Sequence, residues 1–391
     1  MTTPNINLKS LEFNDIKTEL ITYIKSKSDF SDFDFEGSAL STIIDLMTYN
    51  TFYQLMFQNI LVNEMFIDSA QKLESLISHA KIQGFVVPGK RSSTATIKVS
   101  SSTEGTIPAY TRFQGRKSNA EVRLFYNLTE QQLTSTGSNF SATFDVYEAS
   151  RFVNGAALPF DSTSQSSFIP EIDVDFRTVK VEVDIADGNG FSPYTVATSV
   201  EPTSSSNQNI CFIERRETGY DIMFSGVYDP LDGTFRTSEL PSNTTVKVTY
   251  AVASGLAGNG SSSFSFAGVS PVTSPEIVSL SGLSSRGTNA PSIENLKFNI
   301  PRVFSAQSRV VTKDDVKSFL IEEGFATTFS QITVEGGEER EPLELGNVFF
   351  RVLIDGSDIT TEQQTLAQTL LGEKSISGIS YTYDISIGGG S

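Results

Sequence analysis

Residues 37–66, GSALSTIIDLMTYNTFYQLMFQNILVNEMF, decide how the rest of the chain is read. No Gly or Pro interrupts them after Gly37. Ser38 can cap a helix start, because its oxygen accepts a hydrogen bond from an otherwise unpaired first-turn amide. On a wheel of about 3.6 residues per turn, Ser41, Asp45, Thr48, Asn59 and Asn63 gather into one narrow polar stripe. Leu40, Ile43, Ile44, Met47, Leu55, Val62 and Met65 lie to one side of it. Leu46, Tyr49, Tyr53, Met56, Phe57 and Ile60 lie to the other. A helix resting on a small core needs about a third of its circumference apolar, and this one offers far more. The neighbouring sequence supplies only two short helices, so the missing cover is expected from other chains. The alternative is a central helix wrapped by its own domain. The side chains expected to meet neighbours in a helical bundle are Leu40, Ile43, Ile44, Leu46, Met47, Tyr49, Tyr53, Met56, Phe57, Ile60 and Leu61. Asn50 and Asn59 are candidates for fixing its register, as a buried polar residue does in coiled coils.

At 391 residues the chain can bury a sizeable core and divide into two to four domains. Its 46 acidic and 29 basic residues give a formal charge of -17, which repels phosphate and argues against duplex DNA or anionic lipid as the main partner. No run approaches the roughly 20 apolar residues that span a bilayer. The N-terminal MTTPNINLKSLEFNDIK lacks the basic-then-apolar order of a signal peptide. The single cysteine, Cys211, excludes an internal disulfide and suits assembly in a reducing cytoplasm.

Outward from the long helix, Leu11 to Lys27 reads as a short amphipathic helix with Asn14 as a possible cap. A further helix, starting at Asp68 or Ser69, carries Leu73, Leu76, Ile77 and Ala80 as its apolar stripe and Gly84 as a C-cap. From Thr94 the period changes to alternation. Segments such as ATIKVSSS, VRLFYNLTE, RTVKVEVDIADGNGF and NTTVKVTYAVASG predict antiparallel β-structure, with Ser-rich connections at 162–167 and 203–207. GNGSSSFSFAG and SLSGLSSRGTNA read as an irregular arm or connection. Beyond Pro291, Thr312 can cap the helix KDDVKSFLIEEGF; strands ITVEGG and NVFFRVLIDG, a helix through TEQQTLAQTLLGEK and a last strand SYTYDISI follow. The expected fold is a multidomain α+β chain. Its parts are an N-terminal helical bundle region at 1–88, a β-rich antiparallel middle at 89–255, a Gly/Ser-rich connection or arm at 256–290, an α+β domain at 291–387 and a flexible tail at 388–391.

Residues suited to catalysis are scarce. His79 is the only histidine and sits beside the apolar stripe of a helix, where a packed side chain accounts for it. One His and one Cys cannot form a zinc set, and Cys211 in the alternating strand NICFIE reads as a small buried side chain. DFDFEG at Asp32 to Gly37 imitates a calcium loop, but the twelfth position, which requires Glu, is Ile43. GLAGNG at Gly255 to Gly260 lacks the Lys-Ser/Thr of a nucleotide loop and reads as a Gly-rich turn. Glu335, Glu338 and Glu339 are close only in sequence. No catalytic set, metal site or cofactor is assigned, and a non-enzymatic chain is expected.

Several segments together resemble a known family. DFEGSALSTIIDLMTYNTFYQLMFQNILVNEMFIDSAQKLESLISHAKIQGF resembles the N-terminal region of the large inner wedge subunit of contractile phage baseplates. TIPAYTRF is similar to the I-P-x-G-T-x-F strand turn of the wider baseplate J-like family, with Ala109-Tyr110 where a Gly is common. AVASGLAGNG resembles that family's Gly-Asn turn. ENLKFNIPRVFSAQSRVVTKDDVKSFL with ITVEGGEEREPLELGNVFFRVL resembles its passage from β-rich to α+β structure. FSGVYDPLDG departs from the family, whose members often carry a Phe-Gly-Asp/Asn-Gly turn there.

The resemblance implies a structural component of a virion tail baseplate, assembled in the host cytoplasm. It implies a ring around the tail tube made of six wedges, each holding two copies. N-terminal helices would join those of an elongated partner subunit, and the ring would rearrange on contraction. The competing expectation is a β-rich tail-fibre or adhesin-like host-binding protein, which accounts for the strands and leaves the long helix unexplained.

Overall fold

The computed structural model describes residues 12–26, 39–83, 86–136, 139–186, 188–197, 209–224, 227–229, 234–236, 239–306, 310–326, 329–354, 356–375 and 378–387. The chain divides into two compact units, Met1–His79 and Ala80–Ser391. The architecture is the expected multidomain α+β one: a helical N-terminal segment, a β-rich middle and a C-terminal region of mixed helices and strands.

The first unit is built on α1 (Phe13–Lys25) and α2 (Ala39–Glu64), with α3 (Leu73–Ile82) beginning at its end. Glu12, not Asn14, occupies the N-cap of α1, and no side chain bonds there. α3 starts four or five residues later than expected, because Glu64 intervenes. Its carboxylate accepts the amides of Gln71 at 3.0 Å and Lys72 at 3.2 Å, taking up donors a helix start leaves unpaired. Burial pushes the Glu64 carboxyl up, but the Ser75 hydroxyl and those two amides more than offset it and hold it below its ordinary value. The Ser38 cap, the DFDFEG segment and the Gly84 cap lie outside the described residues.

The second unit opens with a seven-stranded antiparallel sheet. Its main path runs Ser261–Phe266, Arg112–Lys117, Val122–Tyr126, Asn139–Glu148, Thr94–Ser101, Glu276–Ser279. Alternation along Thr94–Ser101 turns Ala95, Ile97 and Val99 into an interior filled by Phe113, Phe125, Phe144 and Phe264. Gly115 is buried against that interior, where a Cβ would sit 2.5 Å from the Phe125 ring, so the ring packs there only because the residue is glycine. Residues 284 and 285 close the sheet on itself. The Ser284 amide donates to the Ser261 carbonyl at 2.8 Å, and Ser285 pairs with Thr94 in both directions at 2.7 and 2.9 Å. Closure leaves fewer bare strand edges at that end. The passage 256–290, expected as an irregular arm or connection, therefore supplies two strands and this closure. Its serines alternate with Phe264, Phe266 and Ile277, which pack on the interior and hold it in register.

Tyr110 lies in the TIPAYTRF turn with φ of 63°, the left-handed conformation that glycine adopts without strain. Its ring packs against Phe152 at 5.5 Å, and Phe152 stacks on Tyr126 at 4.4 Å.

A second, eight-stranded sheet is inserted between two strands of the first. Its order is Arg151–Leu158, Thr245–Val252, Lys180–Asp184, Ser192–Ala197, Ile210–Arg216, Gly219–Met223, Ser166–Ile169, Phe160–Asp161. Entry and exit meet: Arg151 pairs with Val252, and the Ser150 amide donates to the Val252 carbonyl at 2.9 Å. All pairings are antiparallel except Ser192–Ala197 with Ile210–Arg216, which run parallel. The expected Ser-rich connection at 162–167 is a tight turn whose end enters the strand Ser166–Ile169. The one at 203–207 and most of FSGVYDPLDG lie outside the described residues.

The chain then forms α4 (Ile293–Ala306), α5 (Lys313–Glu322), strands Ile332–Gly336 and Asn347–Ile354, a short strand Ser357–Asp358, α6 (Thr361–Glu373) and the strand Ser380–Tyr383. Thr312 caps α5 as expected, in a reciprocal box with Asp315, and Thr360 with Gln363 does the same for α6. α6 carries the chain from one strand to a parallel neighbour, since Ser380–Tyr383 pairs in parallel with Asn347–Ile354. Leu320, Phe325, Phe350, Val352, Ala367 and Leu371 form the core of this lobe.

Candidate functional site: an uncovered face on the long helix

α1 packs along the polar stripe of α2. Lys17 pairs with Asp45 at 2.6 Å, and Phe13 lies edge-on to Tyr49 and Phe52 at 6.5 and 6.4 Å. The covered arc is centred on Ile44 and Thr48, the two buried residues of α2. Thr48 meets its burial by donating to the Ile44 carbonyl at 2.7 Å, and Asn63 donates to the Asn59 carbonyl at 2.7 Å. The polar stripe thus lies on the covered side together with Ile44, Phe52, Leu55 and Val62, while the opposite side of the helix is mostly apolar and exposed.

That outward arc takes up about half the circumference. Leu46 is 69% exposed, Leu61 65% and Phe57 58%; Ile43, Met47, Tyr49, Tyr53, Met56 and Ile60 are exposed beside them. Of the eleven side chains expected at an interface, nine lie on this arc. Leu40 is half-buried, and Ile44 is turned into its own unit. Met65 and Phe66, outside the expected set, extend the exposed surface.

The arc has an internal order. Ile43, Leu46, Asn50, Tyr53, Phe57 and Ile60 follow one another at steps of 3, 4, 3, 4 and 3, the spacing that keeps one seam facing a partner helix. Asn50 is exposed in the middle of this seam, while Asn59 is half-buried on the covered side. The 3-4 spacing stands in the sequence but is hidden there, because apolar residues surround the helix. Tyr49 and Tyr53 brace each other within the arc, with rings 4.7 Å apart and hydroxyls 2.9 Å apart. That hydrogen bond raises Tyr49 above the ordinary phenol value.

Elsewhere the residues singled out for chemistry have structural surroundings. Cys211 is buried in the second sheet, and burial pushes its thiol up to about 12, far from a reactive thiolate. His79 is half-buried, with Nε2 3.1 Å from the Glu64 carbonyl oxygen. GLAGNG is a tight turn in which the Asn259 amide clamps Gly287, donating to its carbonyl at 3.0 Å and accepting its N–H at 2.9 Å. Gly255 has φ of +66°, and a Cβ there would lie 2.3 Å from Asn289 Oδ1. Glu339 pairs with Lys313 rather than with a second carboxylate. Among the described residues, no group of three or more His, Cys, Asp and Glu is placed to hold a metal ion, and no helix is long and apolar enough to cross a membrane.

Parts of the chain are similar to known proteins. A stretch of 107 residues is 36% identical to baseplate wedge protein gp6 of Enterobacteria phage T4, and the match spans 26% of this chain and 16% of that protein's length. Among solved structures, the baseplate of the anti-feeding prophage aligns over 97% of this chain and 80% of the compared chain, at 11% identity and a TM-score of 0.31. The TssK-TssF-TssG baseplate subcomplex of the type VI secretion system aligns over 86% of this chain and 94% of the compared chain, at 8% identity and a TM-score of 0.37. Residues 12–85, which contain α1, α2 and α3, match the family model of the helical domain of gp6-like baseplate wedge proteins.

Proposed function

We propose that this chain is a non-enzymatic structural component of a contractile-tail baseplate wedge, resident in the virion tail. The observation that carries the reading is the exposed arc of α2, which leaves far more apolar surface in water than a self-sufficient helix does. The match of residues 12–85 to a wedge helical domain supports the same reading from an independent direction. The seam from Ile43 to Ile60 packs against a second copy of the chain and a helix of an elongated wedge partner. Asn50 sets their alignment, as a polar residue at a seam position does in coiled coils. Residues 1–88 act as the bundle, 89–255 and 256–290 as the β-rich body, and 291–387 as the α+β part that faces neighbouring wedges in a six-fold ring. Packed interfaces of this kind switch between discrete arrangements, which suits a ring that rearranges on contraction. The resemblance of TIPAYTRF to the baseplate J-like family belongs to this reading, and the left-handed Tyr110 stands where that family commonly has Gly.

The experiment is co-expression with the neighbouring tail proteins, followed by the mass of the purified complex. The expected result is a complex holding two copies of this chain, lost on Leu46→Asp or Ile60→Asp while the β-rich body stays folded. Normal co-purification of both variants would contradict the proposal.

A further inference from the structure

Where the C-terminal lobe meets the β body, one carboxylate holds two buried arginines. Glu323, at the C-cap of α5, receives Arg91 at 2.8 Å and Arg286 at 2.6 Å through the same oxygen, Oε2. Arg286 also donates from Nε to the Glu323 backbone carbonyl at 3.0 Å, taking up an acceptor that a helix end leaves unpaired. The arginine side chains are 11% and 14% exposed, and both belong to the β body. Arg91 bridges to Thr288 just before the first strand, and Arg286 follows the closure at Ser284 and Ser285. The second sheet reaches the same point. Asp175, buried, accepts the Ser92 amide at 2.8 Å and holds Arg177, whose guanidinium also donates to the Ser92 carbonyl. Tyr147 and Asp145 face the group from the strand Asn139–Glu148.

Two further observations mark this place. Arg286 has φ of 68°, a left-handed backbone that a side-chain-bearing residue adopts only where its surroundings impose it. Gly324, immediately after the carboxylate, has φ of +78°, and a Cβ there would stand 2.8 Å from the Arg286 carbonyl oxygen. The lobe beyond it has its own core, drawn from residues 310–381. The Arg286 guanidinium reaches that core at its rim, 5.2 Å from the Phe325 ring.

The geometry points to a latch: Glu323 clamps the α+β lobe onto the β body through Arg91 and Arg286, and its release lets the lobe open as a unit while both β cores stay intact. A strained residue held by a buried ion pair is stable in the closed arrangement. Once the carboxylate is lost, Arg91 and Arg286 lose the negative charge that ties both of them to the end of α5, so the joint opens as a step rather than bending gradually. The latch is separate from the α2 seam and stands whether or not a bundle forms.

The test is amide hydrogen exchange on the full chain. In Glu323→Gln, a near-isosteric change that removes the charge, exchange in α5 and the strands Ile332–Gly336 and Asn347–Ile354 is expected to speed up at least tenfold. The strands Thr94–Ser101 and Thr245–Val252 should keep their rates. Unchanged exchange in the lobe, or equal acceleration in lobe and body, overturns the latch. Should the variant not fold, the unmodified chain in low denaturant answers the same question. Lobe amides opening together at lower denaturant than the two β sheets support the latch, and one shared opening of lobe and sheets refutes it.

Discussion

Leu46→Ala gives the most direct measure of what the exposed arc is for. Leu46 stands in the seam with 69% of its surface in water. Full burial of a Leu side chain contributes about 1.5–3 kcal/mol, so covering the exposed two thirds is worth about 1–2 kcal/mol per copy. Losing that contribution weakens association by roughly 5–30-fold for each copy that docks. An exposed position outside any packed core changes the isolated chain by only about 0.5 kcal/mol or less. The expected signature is therefore split: a right-shifted assembly curve by sedimentation or mass photometry of the co-expressed complex, with an unchanged melting curve for the chain alone. Ile44→Ala is the control, since Ile44 is 3% exposed and belongs to the fold of its own unit. It should loosen the helical unit itself, by about 2–5 kcal/mol. If Leu46→Ala left the assembly curve in place, or lowered the melting temperature as Ile44→Ala does, the seam would be a fold element and not an interface.

Four further outcomes are expected. Asn50→Leu should tighten association and broaden the mix of stoichiometries seen by native mass spectrometry, since an apolar seam no longer rejects misaligned partners. Tyr110→Ala should be less stable in urea than Tyr110→Gly by about 1 kcal/mol, because both lose the ring against Phe152 but only alanine keeps the left-handed penalty. Burial pushes the Glu323 carboxyl up, but Arg91 and then Arg286 outweigh that and leave it below its ordinary value. Its stabilising contribution is therefore fully present above the unfolded value of about 4.3 and is lost as pH falls through the folded value, which acid titration of lobe unfolding should show in wild type and not in Glu323→Gln. Cys211, its thiol pushed up to about 12, should resist a thiol reagent at pH 8 in the native chain and react at once in denaturant.

How much of this was legible in the sequence varies by region. The long helix, the alternating strands, the helix capped by Thr312 and the helix through TEQQTLAQTLLGEK follow from periodicity and local capping chemistry, while the Thr360 cap of α6 was not read there. The covered side of α2 was not legible. A helix apolar nearly all round does not reveal which arc its own unit uses, and the polar stripe proved to be the one under α1. The late start of α3 depends on Glu64 reaching forward seven and eight residues, a contact that no cap rule anticipates. Residues 256–290 looked irregular because serine and glycine carry little strand propensity; their order comes from partners at Arg112–Lys117 and Thr94–Ser101, far away in sequence. α4 continues through Pro301, a residue that ordinarily ends a helical reading. The ionic group around Glu323 draws on residues 91, 175, 177 and 286, and only the folded chain brings them together.

The inserted eight-stranded sheet leaves the first sheet and returns to it at almost the same point, with Ser150 and Val252 one hydrogen bond apart. Such an arrangement works like a cartridge in a socket. Cutting out 151–252 and joining the ends with a short turn asks the socket to close a gap already closed, at little cost in loop entropy. A chain shortened in that way keeps the strand pairings of the seven-stranded frame and gives up the clasp of Asp175 and Arg177 on Ser92 and the stack of Phe152 on Tyr126.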